Sequence, residues 1–98
     1  MKNIYEVFVY LDGELFVNLE NIPIMIISNY QELANATHTI MKMSQHTVAQ
    51  VYLKRNGYNI AEIHFHKYLS GLVTYCTRYK KDFLPCDPLC EVVKKWEQ

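Results

Sequence analysis

The sequence predicts an α+β fold: an antiparallel sheet of four or five strands built from two hairpins, with two to three helices packed mainly on one face. Three observations predict it. Two Asx-Gly pairs, Asp12-Gly13 and Asn56-Gly57, each separate two apolar runs, which is the strongest short-range hairpin signal. Between and after these runs, apolar residues recur at helical spacing. The 98 residues are 50% apolar and 20% charged, enough for one core and too few for two, so 1–98 reads as a single domain.

The first hairpin spans 3–20. A three-residue loop, Leu11-Asp12-Gly13, gathers Tyr5, Val7, Val9, Leu15, Val17 and Leu19 on one face. Ile4, Glu6, Phe8, Tyr10, Glu14, Phe16, Asn18 and Glu20 then share the other. Ile22 to Ile27 offers a further strand, with Pro23 confined to its start or to an edge. Ser28 and Gln31 form a capping box that opens a helix at about 29–43. Its inner arc carries Tyr30, Leu33, Ala36, Thr37, Ile40 and Met41, with Gln31, Asn35, His38 and Lys42 opposite.

Residues 47–66 form the second hairpin. A two-residue loop would mix Glu62, His64 and His66 with Val51 and Leu53, whereas a three-residue loop with Gly57 as a left-handed bulge separates them. One face becomes Ala49, Val51, Leu53, Ala61, Ile63 and Phe65. The other becomes Val48, Gln50, Tyr52, Lys54, Tyr58, Ile60, Glu62, His64 and His66. Helical spacing returns over 67–83, where Leu69, Leu72, Val73, Cys76, Tyr79 and Phe83 face inward despite Gly71. Asp87 as N-cap and Pro88 at the first helical position start a last helix bearing Leu89, Val92, Val93 and Trp96. The predicted order is β-β-(β)-α-β-β-α-α.

Charge and cysteine content narrow the function classes. The formal net charge is zero, so no bulk attraction to nucleic acid or membrane is expected. Residues 1–45 hold two bases against five acids and residues 46–98 eight against five, a dipolar distribution that steers partners. Three cysteines make an odd set for a disulfide framework and fit a reducing, cytoplasmic compartment. The first residues lack the apolar stretch of a signal peptide, and the longest apolar run, 22–27, is too short to span a bilayer. Ile, Asn, Tyr and Lys total 31 residues while Gly, Ala, Pro and Arg total 12. That skew marks AT-rich coding, as in many viruses and other mobile elements.

No catalytic motif is present. The three glycines (Gly13, Gly57, Gly71) are scattered and make no phosphate loop. No carboxylates pair on an apolar face, and nothing sets His38 or His46 beside a thiol, so the chain reads as a non-enzyme. His64 and His66 share one face of a strand, a spacing that metal sites use, and Cys86 and Cys90 flank the last helix. The alternative zinc site (His64, His66, Cys86, Cys90) has no tight knuckle, and a buried cysteine is more often a small hydrophobe. No cofactor is therefore expected.

The remaining readings concern one sheet face. Phe8, Tyr10, Phe16, Tyr52, Tyr58 and Ile60, with Glu62, His64 and His66, make a mixed recognition surface for another protein or for a second copy of the chain. A small non-catalytic interaction domain of the adaptor or inhibitor kind follows. The alternative is a nucleic-acid module that stacks bases on those aromatics and uses Lys54, Arg55, Lys67, Arg78, Lys80 and Lys81. Glu6, Glu14, Glu20 and Glu62 on the same face oppose it. The bland reading is a face covered by the last helix, whose Trp96 stripe must bury somewhere.

Overall fold

A computed structural model of the chain describes residues 4–22, 27–80 and Trp96, with backbone alone at 20–22 and 27–29. Among the described residues the fold is α+β: one five-stranded antiparallel sheet and one helix spanning several turns. The elements are β1 (Tyr5–Leu11), β2 (Glu14–Ile22), α1 (Ile27–Met43), β3 (Val48–Arg55), β4 (Tyr58–Lys67) and β5 (Val73–Tyr79), and the sheet order is β2-β1-β3-β4-β5. No helix among the described residues is long and apolar enough to cross a membrane.

Both turns are tighter than the sequence predicts. Leu11 pairs with Glu14 and Arg55 with Tyr58, leaving two-residue loops. Asp12, Gly13, Asn56 and Gly57 all have positive φ (51°, 85°, 52° and 86°), the signature of type I′ turns, whose twist matches that of the flanking strands. The face switch assigned to a larger loop is made instead by a bulge. Val9 pairs with Val17 but Tyr10 with Leu15, so Phe16 is the extra residue. Leu53 pairs with Ala61 but Lys54 with Asn59, so Ile60 is extra. Beyond each bulge the expected partition holds. Between turn and bulge it inverts: Leu15 joins the row of Tyr10, and Tyr58 joins the row of Tyr5 and Arg55.

The two turns clamp each other's strands. Asp12 N–H donates to the Val48 carbonyl (2.8 Å), and Asp12 Oδ1 accepts from Val48 N–H (3.0 Å) and Thr47 N–H (3.1 Å). Asn56 N–H donates to the Ile4 carbonyl (2.8 Å), and Asn56 Oδ1 accepts from Ile4 N–H (2.9 Å). Asp12 and Asn56 are 44 positions apart, as are their partners Val48 and Ile4 and the bulges at Phe16 and Ile60. The β1–β3 register, with Phe8 opposite Tyr52, maps onto itself under that shift. The two central strands are thus related by an internal pseudo-twofold axis through the Phe8–Tyr52 pair.

Asp12 also lies 2.7 Å from His46 Nδ1 through Oδ2. That contact, followed by the Val48 and Thr47 backbone donors, lowers its pKa from 3.8 to about 2. The folded carboxyl therefore gives stability that is complete above the ordinary carboxylate range and is lost as pH falls through about 2. Urea unfolding of the wild type is expected to weaken progressively from pH 4 to pH 2. An Asp12→Asn variant should show a smaller change over that interval. An unchanged slope would remove Asp12 from the acid response.

The core lies between α1 and one sheet face. Val7, Val9, Val51, Leu53, Ile63 and Phe65 are fully buried beneath Tyr30, Ala34, Thr37 and Met41. The buried arc of α1 is turned from the expected one, because Ala36 is exposed and His38 is buried. The cause is Trp96, whose ring stacks on His38 (4.5 Å between centroids, 4° between planes) and also contacts Phe65 and Tyr75. Trp96 Nε1 donates to Asn35 Oδ1 (3.0 Å). Burial, and secondarily Lys42, push the His38 pKa below its usual value. Thr37 Oγ1 returns a hydrogen bond to the Leu33 carbonyl (2.7 Å), which lets a hydroxyl sit inside the core.

The helix expected over 67–83 is a strand over its central part. Tyr68 N–H donates to the Leu72 carbonyl and Gly71 N–H to the Tyr68 carbonyl, closing a turn in which Gly71 has φ 93°. β5 then pairs with β4 from Lys67–Val73 to Ala61–Tyr79. Val, Thr and Tyr dominate β5, and β-branched and aromatic side chains fit a pleated surface better than a helix. Leu69, Leu72, Cys76 and Tyr79, expected to face inward, are exposed, and Phe83 lies outside the described residues. Residues 23–26 of the optional strand, and all of the last helix but Trp96, lie outside the described residues.

Candidate functional site

Strand alternation places every second residue of β1, β3, β4 and β5 on the face opposite α1. Cross-strand pairing orders them into rows. One row reads Asn18, Phe8, Tyr52, Glu62, Arg78 from β2 to β5, and the next reads Leu15, Tyr10, Gln50, His64, Cys76. A shorter row holds Glu6, Lys54 and Asn59. Among the described residues nothing packs over these rows. Trp96 buries on the α1 side, so it does not cover the aromatic face.

The central side chains hold one another. Tyr10 and Tyr52 meet edge to face (5.8 Å, 80°), and Tyr52 meets His64 the same way (5.8 Å, 88°). The Lys54 ammonium sits 5.1 Å from the Phe8 ring centre, a cation–π contact. His64 Nε2 lies 3.4 Å from Glu62 Oε1. Desolvation raises the Tyr52 pKa, with Glu62 and Tyr10 adding to the effect, so its hydroxyl remains a donor at neutral pH. Half-buried rings in fixed mutual contact lose little side-chain freedom on binding.

Of the residues expected here, Phe8, Tyr10, Tyr52, Glu62 and His64 come together as one cluster. His66 shares the face but packs its ring on Tyr68 (4.6 Å, 75°) beyond the cluster. Phe16, at the first bulge, is exposed. Ile60 leaves the set: the second bulge turns it into the core, where it is 2% exposed. Tyr58 leaves it too, because the two-residue turn puts it in the row of buried Tyr5, although its own ring stays in solvent at the rim.

The basic residues do not form a stripe. Lys54 lies on the cluster and Arg78 ends its row. Arg55 belongs to the α1-side row of Tyr5. Lys67 Nζ donates to the Ser44 (2.8 Å) and Lys42 (3.4 Å) carbonyls, capping the C-terminal end of α1. Lys80 follows β5, its N–H on the Ile60 carbonyl, and Lys81 lies outside the described residues, as do Cys86 and Cys90. Among the described residues no group of three or more His, Cys, Asp or Glu is placed to hold a metal ion.

Cys76 escapes the sequence reading of this surface, and Arg78 enters it only in the nucleic-acid alternative. Cys76 stands opposite His64, and Arg78 opposite Glu62, whereas helical spacing had assigned both to α-helix faces. The period-2 alternation of Val73-Thr74-Tyr75-Cys76-Thr77-Arg78-Tyr79 is the signal that identifies them. No family model matches the chain, and no curated protein or solved structure matches it either.

Proposed function

We propose that the chain is a small non-catalytic interaction domain, of the adaptor or inhibitor kind, that binds another protein through the sheet face opposite α1. The observation that carries this reading is the Phe8–Tyr10–Tyr52–His64 cluster, in which Tyr52 meets the Tyr10 and His64 rings and Phe8, its cross-strand partner, is held by Lys54, uncovered among the described residues. Rigid aromatics bordered by charges of both signs have the composition of a protein-binding hot spot. Base stacking is served less well. The Phe8 ring is covered by Lys54, Tyr52 presents edges to its neighbours, and Glu6 and Glu62 repel phosphate.

Affinity capture from the cells that encode the protein tests the proposal. Wild-type bait is expected to retain a partner that a Phe8→Ala/Tyr52→Ala bait loses and a Leu69→Ala bait keeps. Light scattering on the same proteins identifies the partner as a second copy if the wild type is a dimer and the double variant a monomer. A partner retained equally by all three baits would contradict the use of this face.

A further inference from the structure

The open face is not uniformly flat. Tyr10, Gln50, Tyr52, Lys54 and Asn59 line a depression of about 360 Å³ on β1, β3 and β4. Every one of the five side chains ends in a polar head that donates hydrogen bonds: two phenol hydroxyls, two primary amides and one ammonium. None of the five heads has a hydrogen-bond or ion-pair partner among the described residues, the Lys54 ammonium meeting only the Phe8 ring. No acid lines the depression. The hydroxyls and amides can also accept, but the Lys54 ammonium only donates, and the lining offers it no negatively charged acceptor.

Resting on the reading of this face as an interface, we infer that the depression is a carboxylate-binding site, filled by a carboxylate that the partner presents. The Lys54 ammonium supplies the charge, the Tyr10 and Tyr52 hydroxyls and the two amides supply neutral donors, and a carboxylate offers two oxygens that accept several bonds each. Charge balance selects a monoanion over a phosphate dianion. The wider face is neutral, Lys54 and Arg78 standing against Glu6 and Glu62, while the lining itself holds one cation and no acid, so it matches one negative charge and not two. Glu6, directly across from Lys54, further limits the anion tolerated. The carboxylate comes either from an acidic side chain or from a chain terminus, both of which share this chemistry.

Amide NMR of the full chain tests the inference with acetate as the simplest probe. Saturable shifts are expected at Tyr10, Gln50, Tyr52, Lys54 and Asn59. Lys54→Gln should weaken them about ten-fold, the loss appropriate to a charge-assisted hydrogen bond, with resonances of β5 and α1 unmoved as proof of folding. Inorganic phosphate should bind no more tightly than acetate. Two short peptides then separate the sources. A free C-terminus that binds better than its amidated form marks a chain terminus, and an amidated aspartate peptide that binds as well marks a side chain. Acetate shifts spread over all lysines, or unchanged in Lys54→Gln, would overturn the site. A captured partner that needs Phe8 and Tyr52 but is indifferent to Lys54→Gln would leave the interface standing and remove the carboxylate.

Discussion

Replacing Phe65 by alanine is expected to lower the unfolding free energy by about 3–5 kcal/mol, the cost of deleting a buried aromatic ring and leaving a cavity. Phe65 is 1% exposed and stands where the layers meet. It pairs with Ala49 on one side and Tyr75 on the other, and its ring touches His38 of α1 (6.0 Å) and Trp96 (5.5 Å). Ala49 is too small to close the gap, and the neighbouring rings are fixed by their own stacking. A domain of this size is stable by only about 5–15 kcal/mol, so the variant approaches the unfolding limit. Urea unfolding at neutral pH measures the change. Leu69→Ala, at a fully exposed turn position, is the control and should alter stability by no more than about 0.5 kcal/mol. A Phe65→Ala cost below about 1 kcal/mol would contradict a core placed between α1 and β4.

Truncation of Tyr52 acts on binding instead. Tyr52→Ala is expected to weaken the partner by at least about 2 kcal/mol, roughly thirty-fold, as loss of a central aromatic anchor does. Tyr52 lies on the pseudo-twofold axis opposite Phe8 and touches both Tyr10 and His64. Its removal therefore loosens the whole cluster. Tyr52→Phe keeps the ring contacts and loses only the hydroxyl, so its effect should be several-fold smaller. Calorimetry with the captured partner separates the two variants, and equal affinities for wild type and Tyr52→Ala would exclude Tyr52 as an anchor.

The strand bodies were legible in the sequence because period-2 alternation is local. Val7, Val9, Val51, Leu53, Ile63 and Phe65 are all on the expected face. What was not legible was how the chain changes face near each turn. A three-residue loop and a two-residue loop followed by a bulge give the same partition for distant residues and opposite ones for Leu15 and Tyr58. Local pattern does not choose between them, since the choice rests on the clamps that Asp12 and Asn56 make to β3 and to Ile4. The internal relation between the two turns had the same obstacle. It is a correspondence of register and backbone bonding, with little shared side-chain identity.

Residues 67–83 were ambiguous for a different reason. Leu69, Leu72, Val73, Cys76 and Tyr79 satisfy helical spacing, yet Val73 to Tyr79 alternates equally well as a strand. Gly71 and the β-branched and aromatic content favour the strand, which the free edge of β4 completes. His38 was assigned to solvent because nothing within α1 predicts that Trp96 will cover it. With β5 in place, Cys76 and Arg78 extend the open face, and the candidate site grows from an aromatic cluster to a five-stranded surface.

Side-chain footprinting of the chain alone and with its captured partner tests that surface most directly. Tyr10, Tyr52 and His64 should be modified in the free chain and protected in the complex, while Glu32, Asn35 and Thr39 on the outer side of α1 react equally in both. Protection confined to the outer side of α1 or to the 68–72 turn, with Tyr52 equally reactive in both states, would contradict the sheet face as the binding surface.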